Sequence, residues 1–158
     1  MSGMLPLATP RLRFREMAEA DLADIASLDR GGSRGPADWI AWNLDNYAEH
    51  GFGLWVVETH AGEFVGDCGL TMQEVEGAWL VEAGWHIRAD RRRSGLATEA
   101  AAAVRDAARD AGVEHLIAII RPHNVASQRV ATKIGMVLER EIHKNGGPAL
   151  VFGLGLSR

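Results

Sequence analysis

The chain has 158 residues, 47% hydrophobic and 24% charged, with a net charge of −4 and a pI near 5.8. That is the size of one domain, here residues 1–158, able to bury roughly two-thirds of its unfolded surface without a disulfide or a metal; the single Cys68 has no partner for a disulfide within the chain. The acidic balance excludes a dedicated nucleic-acid binder. No apolar run approaches the ~18 residues of a membrane span, and residues 1–10 show no basic-then-apolar leader, so a cytoplasmic protein is expected.

In chain order, alternation over residues 12–17 predicts a first strand. A helix opening at Glu19-Ala20-Asp21 carries Leu22, Ile25, Ala26 and Leu28 on one face, and a second runs from Pro36 to the stop at Gly51. The Gly-Gly-Ser-Arg-Gly link between them predicts a mobile loop. Residues 54–58 and 63–70 form a hairpin around His60-Ala61-Gly62. Residues 79–88 read as a strand. Residues 96–111 read as a helix with Ala97, Ala100, Ala101, Val104, Ala107, Ala108 and Ala111 on a narrow small-residue face, ended by Gly112.

Residues 115–121 make a continuous apolar strand, expected to be covered on both faces. A helix follows over residues 124–134 with Ala126, Val130 and Ile134 in register, then strands over 137–143 and 149–156 around Asn145-Gly146-Gly147-Pro148. Strand–helix–strand–helix in the second half implies an α/β (α+β) domain: a mixed, mostly antiparallel sheet of six to seven strands with helices on both faces.

One basic cluster, Arg91-Arg92-Arg93, stands in this acidic chain. The run Arg92-Arg93-Ser94-Gly95-Leu96-Ala97-Thr98 leaves a strand and opens a helix. The first amides of a helix lack internal partners and carry the positive end of its dipole, so this turn suits a phosphate. Gly95 permits close backbone approach, and Ala97 keeps the next turn clear. By itself this spacing equally describes a solvated basic loop.

The order of the remaining motifs narrows the choice. Glu82-Ala83-Gly84-Trp85 lies before this turn; Arg121-Pro122-His123-Asn124-Val125-Ala126-Ser127-Gln128-Arg129-Val130 and Lys133-Ile134-Gly135-Met136 follow it. With the opening Thr9-Pro10-Arg11-Leu12-Arg13-Phe14-Arg15, this series resembles the GNAT acetyltransferase superfamily, in its ribosomal-protein N-terminal acetyltransferase branch. The resemblance implies acetyl-CoA as co-substrate, with the amides of Arg93, Ser94, Gly95, Leu96, Ala97 and Thr98 around the pyrophosphate and Arg92 adding charge. It implies that Ile87, Arg88 and Ala89 pair with the pantetheine arm where that strand splays from its neighbour. It also implies that Asn124 and Ser127 lie near the pantetheine and the sulfur, and that Arg129 and Lys133 reach toward the adenosine phosphates. Asn124 is equally a good N-cap, and Arg129 and Lys133 equally a solvated helix face.

Acetyl transfer needs a proton acceptor for the amine and donors for the oxyanion. Glu82, on the strand beside the expected thioester slot, is the candidate base; the alternative is a structural carboxylate paired with Arg88 or Arg121. Backbone N–H from the Ile87 region is the expected oxyanion donor. The leaving-group acid is not evident: the only tyrosine, Tyr47, lies in the second helix and Phe152 has no hydroxyl, which leaves Ser127 or water. Cys68 reads as an inert buried thiol. His86 alternates with Trp85 and either packs or faces the acceptor. The six histidines lack metal-ligand spacing, and no metal is expected.

The acceptor pocket is expected between the first two helices and the C-terminal hairpin, walled by some of Trp39, Trp42, Tyr47, Trp55, Trp79 and Trp85, with Asp38, Asp45 and Glu49 steering a cationic amine. The expected activity is direct transfer in a ternary complex to a primary amine, a protein N-terminus or a small molecule, by a monomer or homodimer. The alternative is a non-catalytic acyl-CoA-binding module.

Overall fold

In the computed structural model, which describes residues 4–157, a long hairpin sets the frame. Strand β3 (Phe64–Val75) turns back into β4 (Ala78–Ile87) through Glu76 and Gly77, both at positive φ (51° and 87°). Two left-handed residues in a two-residue loop match the right-handed twist of the flanking strands. The register follows: Val75 lies opposite Ala78, Thr71 opposite Glu82, Gly69 opposite Gly84, and Asp67 opposite His86.

β1 (Leu12–Arg15) and β2 (Leu54–Thr59) extend this hairpin on one side. β5 (His115–Ile120), β6 (Val137–Lys144) and β7 (Gly147–Gly155) complete a seven-stranded sheet in the order β1-β2-β3-β4-β5-β7-β6. Every neighbouring pair is antiparallel except β4 and β5, which run parallel. The expected mixed, mostly antiparallel sheet is observed.

Alternation along β2 shows which helices cover which face. Leu54 and Val56 pack with Ile25, Trp39 and Ile40, from helices α1 (Leu22–Ala26) and α2 (Pro36–His50). Trp55 and Val57 pack with Leu96, Ala100, Val104 and Val130, from α3 (Leu96–Asp110) and α4 (Val125–Lys133). Successive strand residues point to opposite faces, so α1 and α2 cover one face and α3 and α4 the other. Cross-strand pairing carries this outward: Val56 faces Asp67, which faces His86, so Thr71, Glu82, Gly69, Gly84, Asp67 and His86 all lie on the α1/α2 face.

Several details differ from the sequence expectation. The first helix is a 3-10 turn at Glu19–Asp21 followed by a short α1. On α3 the fully buried residues are Leu96, Ala100, Ala101, Val104 and Ala108, whereas Ala97 and Ala107 are half-buried and Ala111 is exposed. On α4, Ala126 is exposed and Ala131 takes the core position beside Val130: the helix meets the sheet on the stripe that holds Val130, Ala131 and Ile134. Trp79, named among the possible walls of the acceptor pocket, lies exposed near the hairpin tip.

Candidate active site

β4 and β5 stay paired only at Val81–Leu116 and Glu82–Ile117. Beyond that point the Ile119 amide donates to the Glu82 carboxylate (2.8 Å) instead of to β4's backbone. Glu82 thus closes the ladder at the vertex of a fork. The Arg88 amide donates to Val65 on β3, and antiparallel ladders alternate, so the backbone groups of Ala83, Trp85 and Ile87 face the open side of the fork. Of these, the Ile87 carbonyl accepts from Arg92 Nε (3.2 Å). The splay of this strand, expected from the resemblance, is observed.

Burial lifts the Glu82 carboxyl to about 7; the Ile119 amide, His86, Lys144 and Thr71 pull the other way without reversing it. The expected alternative partners are both engaged elsewhere: Arg88 bonds the Phe64 carbonyl (2.9 Å) and Asp90 (2.7 Å), and Arg121 the carbonyls of Pro148 and Asn145.

Because β4 and β5 are parallel, α3 after β4 and α4 after β5 both start at the edge where the fork opens. α3 begins at Gly95, which is left-handed (φ 80°) and gives its helix no side-chain cap. The amides of Leu96, Ala97 and Thr98 therefore open toward the edge with no partner inside the helix. Arg93 is also left-handed (φ 64°), a turn that aims successive amides to one side.

The arginine cluster divides. Arg91 pairs with Glu63, Arg92 bonds the Ile87 carbonyl, and Arg93 is exposed. Ser94 Oγ donates to the Arg91 carbonyl (2.8 Å) and ties the turn to itself. Ala89 lies in a 3-10 turn at Ala89–Arg91, just past the strand.

Asn124 does cap α4, its side chain accepting from the Ser127 amide (3.1 Å). Ser127 is half-buried, and Arg129 and Lys133 are exposed on α4. Tyr47 is removed from the chemistry: its buried hydroxyl accepts from the Met17 amide (3.1 Å) and donates to the Leu54 carbonyl, and burial drives its pKa upward. Phe152 is core, and Cys68 is fully buried with its thiol pKa pushed up by burial and by Asp67.

The pair that sequence reasoning missed is Asp67 with His86. Asp67 is fully buried; its carboxylate takes His86 Nδ1 (2.7 Å) and Trp39 Nε1 (2.9 Å). Burial works against charge on the imidazole, but Asp67, by proximity and by its hydrogen bond, outweighs it and raises the pKa above 6.5. The Trp39 ring stands edge-on to His86 with centroids 5.6 Å apart, and the Arg30 guanidinium lies 5.0 Å over the same ring. The signal was available: a turn at Glu76-Gly77 makes 67 and 86 cross-strand partners.

Comparison with known proteins agrees with this geometry. A family model described as an acetyltransferase (GNAT) domain matches residues 11–137. The protein YkkB of Bacillus subtilis (strain 168), described as uncharacterized, is 32% identical, with 96% of each chain covered. An acetyltransferase from Agrobacterium tumefaciens str. C58 superposes with a TM-score of 0.81 at 26% identity, covering 98% of this chain and 96% of that one. YncA, a putative acetyltransferase from Salmonella typhimurium solved with acetyl-CoA, superposes at 0.73 with 19% identity, covering 92% and 94%. Among the described residues no helix is long and apolar enough to cross a membrane. With a matching model over most of its length and the forked sheet in place, the chain belongs to the GNAT acetyltransferase family and is an acyltransferase.

Proposed function

We propose that the protein moves the acetyl group of acetyl-CoA directly to a primary amine, a protein N-terminus or a small molecule, within a ternary complex. The observation that carries this reading is the coincidence of the fork, with Glu82 at its vertex, and the uncapped α3 N-terminus at the same sheet edge. A pyrophosphate at Arg93, Ser94, Gly95, Leu96, Ala97 and Thr98 meets free amides and the positive end of the helix. A pantetheine arm lying along Ile87, Arg88 and Ala89 supplies the hydrogen-bond partners that β5 withholds from β4. Asn124 and Ser127, at the start of α4, flank that arm; Arg129 and Lys133 lie one and two turns further along the helix.

In this reading the Ile87 region donates to the thioester oxygen as charge develops there. Glu82 accepts a proton from the amine nitrogen, which must shed its protons to become an amide. A carboxyl near 7 is suited to this, present in part as the base at neutral pH and basic enough to hold a proton. The thiol departs with help from water or Ser127, since Tyr47 is committed to Met17 and Leu54.

Thiol release from acetyl-CoA, followed with Ala- and Ser-initiated tetrapeptides, spermidine, free amino acids and kanamycin, tests the reading. Turnover with one class names the acceptor. Thermal stabilisation by acetyl-CoA without turnover on any amine would instead support a non-catalytic binding module, and no stabilisation by any acyl-CoA would overturn coenzyme binding.

A further inference from the structure

On the α1/α2 face of β4 and β3, three cross-strand pairs follow one another: Thr71 with Glu82, Gly69 with Gly84, and Asp67 with His86. The middle pair has no side chains. A Cβ at Gly84 would touch only Leu54 Cδ2, at 3.5 Å, so the strand surface between Glu82 and His86 forms an open floor. Same-face neighbours on a strand are about 7 Å apart. A group resting on Gly84 is therefore about that far from the Cα atoms of both Glu82 and His86, within reach of both side chains. The Trp85 amide, which faces the fork, belongs to the residue between Gly84 and His86, so the floor adjoins the expected thioester position.

His86 is held like a working imidazole. Its Nδ1 is fixed by the buried Asp67 carboxylate, itself pinned by Trp39 Nε1. A carboxylate only accepts, so Nδ1 carries the proton and Nε2 is the free, basic nitrogen. Nε2 has no hydrogen-bond partner among the described residues, yet it is not a sealed unsatisfied atom, and the side chain keeps 21% of its exposure. The charged groups around it are Asp67 on β3, Glu82 on β4 and Arg30 beyond α1.

The reaction has work for such a group. An ammonium that becomes an amide must shed two protons from nitrogen, and one carboxylate holds only one. We propose that Asp67 and His86 form a proton-accepting dyad on the acceptor side of β4, His86 Nε2 taking one of the two protons of the amine and Glu82 the other. This rests on the N-acetyltransferase reading above. His86 Nε2 takes the first proton and frees the lone pair, which forms the C–N bond at the thioester carbonyl carbon. Glu82 takes the second from the nitrogen as the C–S bond breaks and its electron pair leaves on sulfur. The thiolate recovers one proton, from the imidazolium or water, and the other passes to solvent.

Two measurements on the full chain test this. The first is kcat against pH at saturation, with whichever amine of the panel above turns over fastest. Two bases that must both be unprotonated give log kcat a limiting slope near 2 on the acid side, read as macroscopic ionisations of a coupled pair. Expected for His86→Gln is a slope of 1 and a loss of about 100-fold or more in kcat, with stabilisation by acetyl-CoA retained. A slope unchanged from wild type, with kcat within about threefold, would reduce His86 to a packing residue.

The second needs no acceptor: ring-nitrogen NMR of histidine-labelled protein, assigned with His86→Gln. Expected are an Nδ1–H tautomer and a titration above 6.5 that falls in Asp67→Asn. An Nε2–H tautomer, or a ring that does not titrate, would overturn the proposal even if acetyl transfer itself stands. Absence of acetyl-CoA binding would overturn the function and leave the NMR result to judge the dyad as a proton acceptor.

Discussion

Arg11 donates to Glu99 twice, from its backbone amide at 3.0 Å and from Nε at 2.7 Å, and the same guanidinium reaches the Ser94 carbonyl at 2.8 Å. Thr9 adds a third donor to Glu99. Burial alone would raise the Glu99 carboxyl, but Thr9 and Arg11 together hold it below the ordinary range. The segment entering β1 is thus fastened to the first turn of α3, at the expected pyrophosphate site. Arg11→Ala is expected to weaken acetyl-CoA binding about three- to tenfold, measured by calorimetry. It should cost about 1 kcal/mol in stability, because the Arg11 side chain is half exposed (49%) and Glu99 keeps its bond from Thr9. An unchanged Kd would detach the strand from the loop's function.

Gly95 sits at φ 80°, and an added Cβ would come 3.4 Å from Arg11 Nη2. Gly95→Ala is therefore expected to lose part of the stabilisation by acetyl-CoA through backbone strain, and Gly95→Glu to lose most of it by adding a negative charge at the phosphate position. Differential scanning fluorimetry with and without acetyl-CoA compares them. Equal losses in the two variants would make strain the whole cause.

Glu82 carries a pH signature. Its folded pKa, about 7, lies above its ordinary 4.5, so the favourable protonated form is complete in both states below about 4.5. Between there and 7 the unfolded chain ionises first and stability is lost, reaching a plateau above 7. Glu82→Gln, whose amide oxygen still accepts from Ile119, is expected to match wild type near pH 4 and to exceed it above pH 7. The gain should be roughly 1–2 kcal/mol, below the full conversion of such a shift because the side chain keeps some solvent contact. The same variant should lose about 100-fold in kcat. Greater stability with full activity would assign Glu82 to the fork and not to the chemistry.

Asn124 separates two roles within one side chain. Asn124→Ala is expected to cost about 1 kcal/mol by removing the cap on the Ser127 amide. Asn124→Asp keeps the accepting oxygen, so stability should hold. If the amide nitrogen also meets the pantetheine arm, the KM for acetyl-CoA rises in both variants; a KM unchanged in Asn124→Asp leaves capping as its role.

The features legible in the sequence are those written in local chemistry. Gly95 at the start of α3, Asn124 at the start of α4 and the turns at Gly62 and Gly146 each need a residue type where the chain bends. What stayed hidden was set by pairing. β3 runs on to Val75 because Glu76 and Gly77 close a two-residue turn, and only that register brings Asp67 to His86. The end of the β4–β5 ladder after Glu82 has no periodic signal, since it depends on where a distant strand ceases to follow. Ala126 fits the helical period yet is exposed, because α4 rotates to bury Ala131.

The short β4–β5 ladder has a mechanical consequence. Its two registered pairs are the only backbone rungs joining β1–β4 to β5–β7 among the described residues. Beside them stand side-chain bonds of Glu82 with the Ile119 amide, Lys144 with the Glu74 carbonyl and Arg140 with Glu76. The sheet is thus two panels sharing a narrow seam. Each panel is continuous within itself and should open to exchange as its own unit. A thioester arm laid in the fork bonds the loose edge of one panel while touching the other, acting as a rivet across the seam. Occupancy should then slow amide exchange together in strands as far apart as β3 and β7, and product release should reverse that protection.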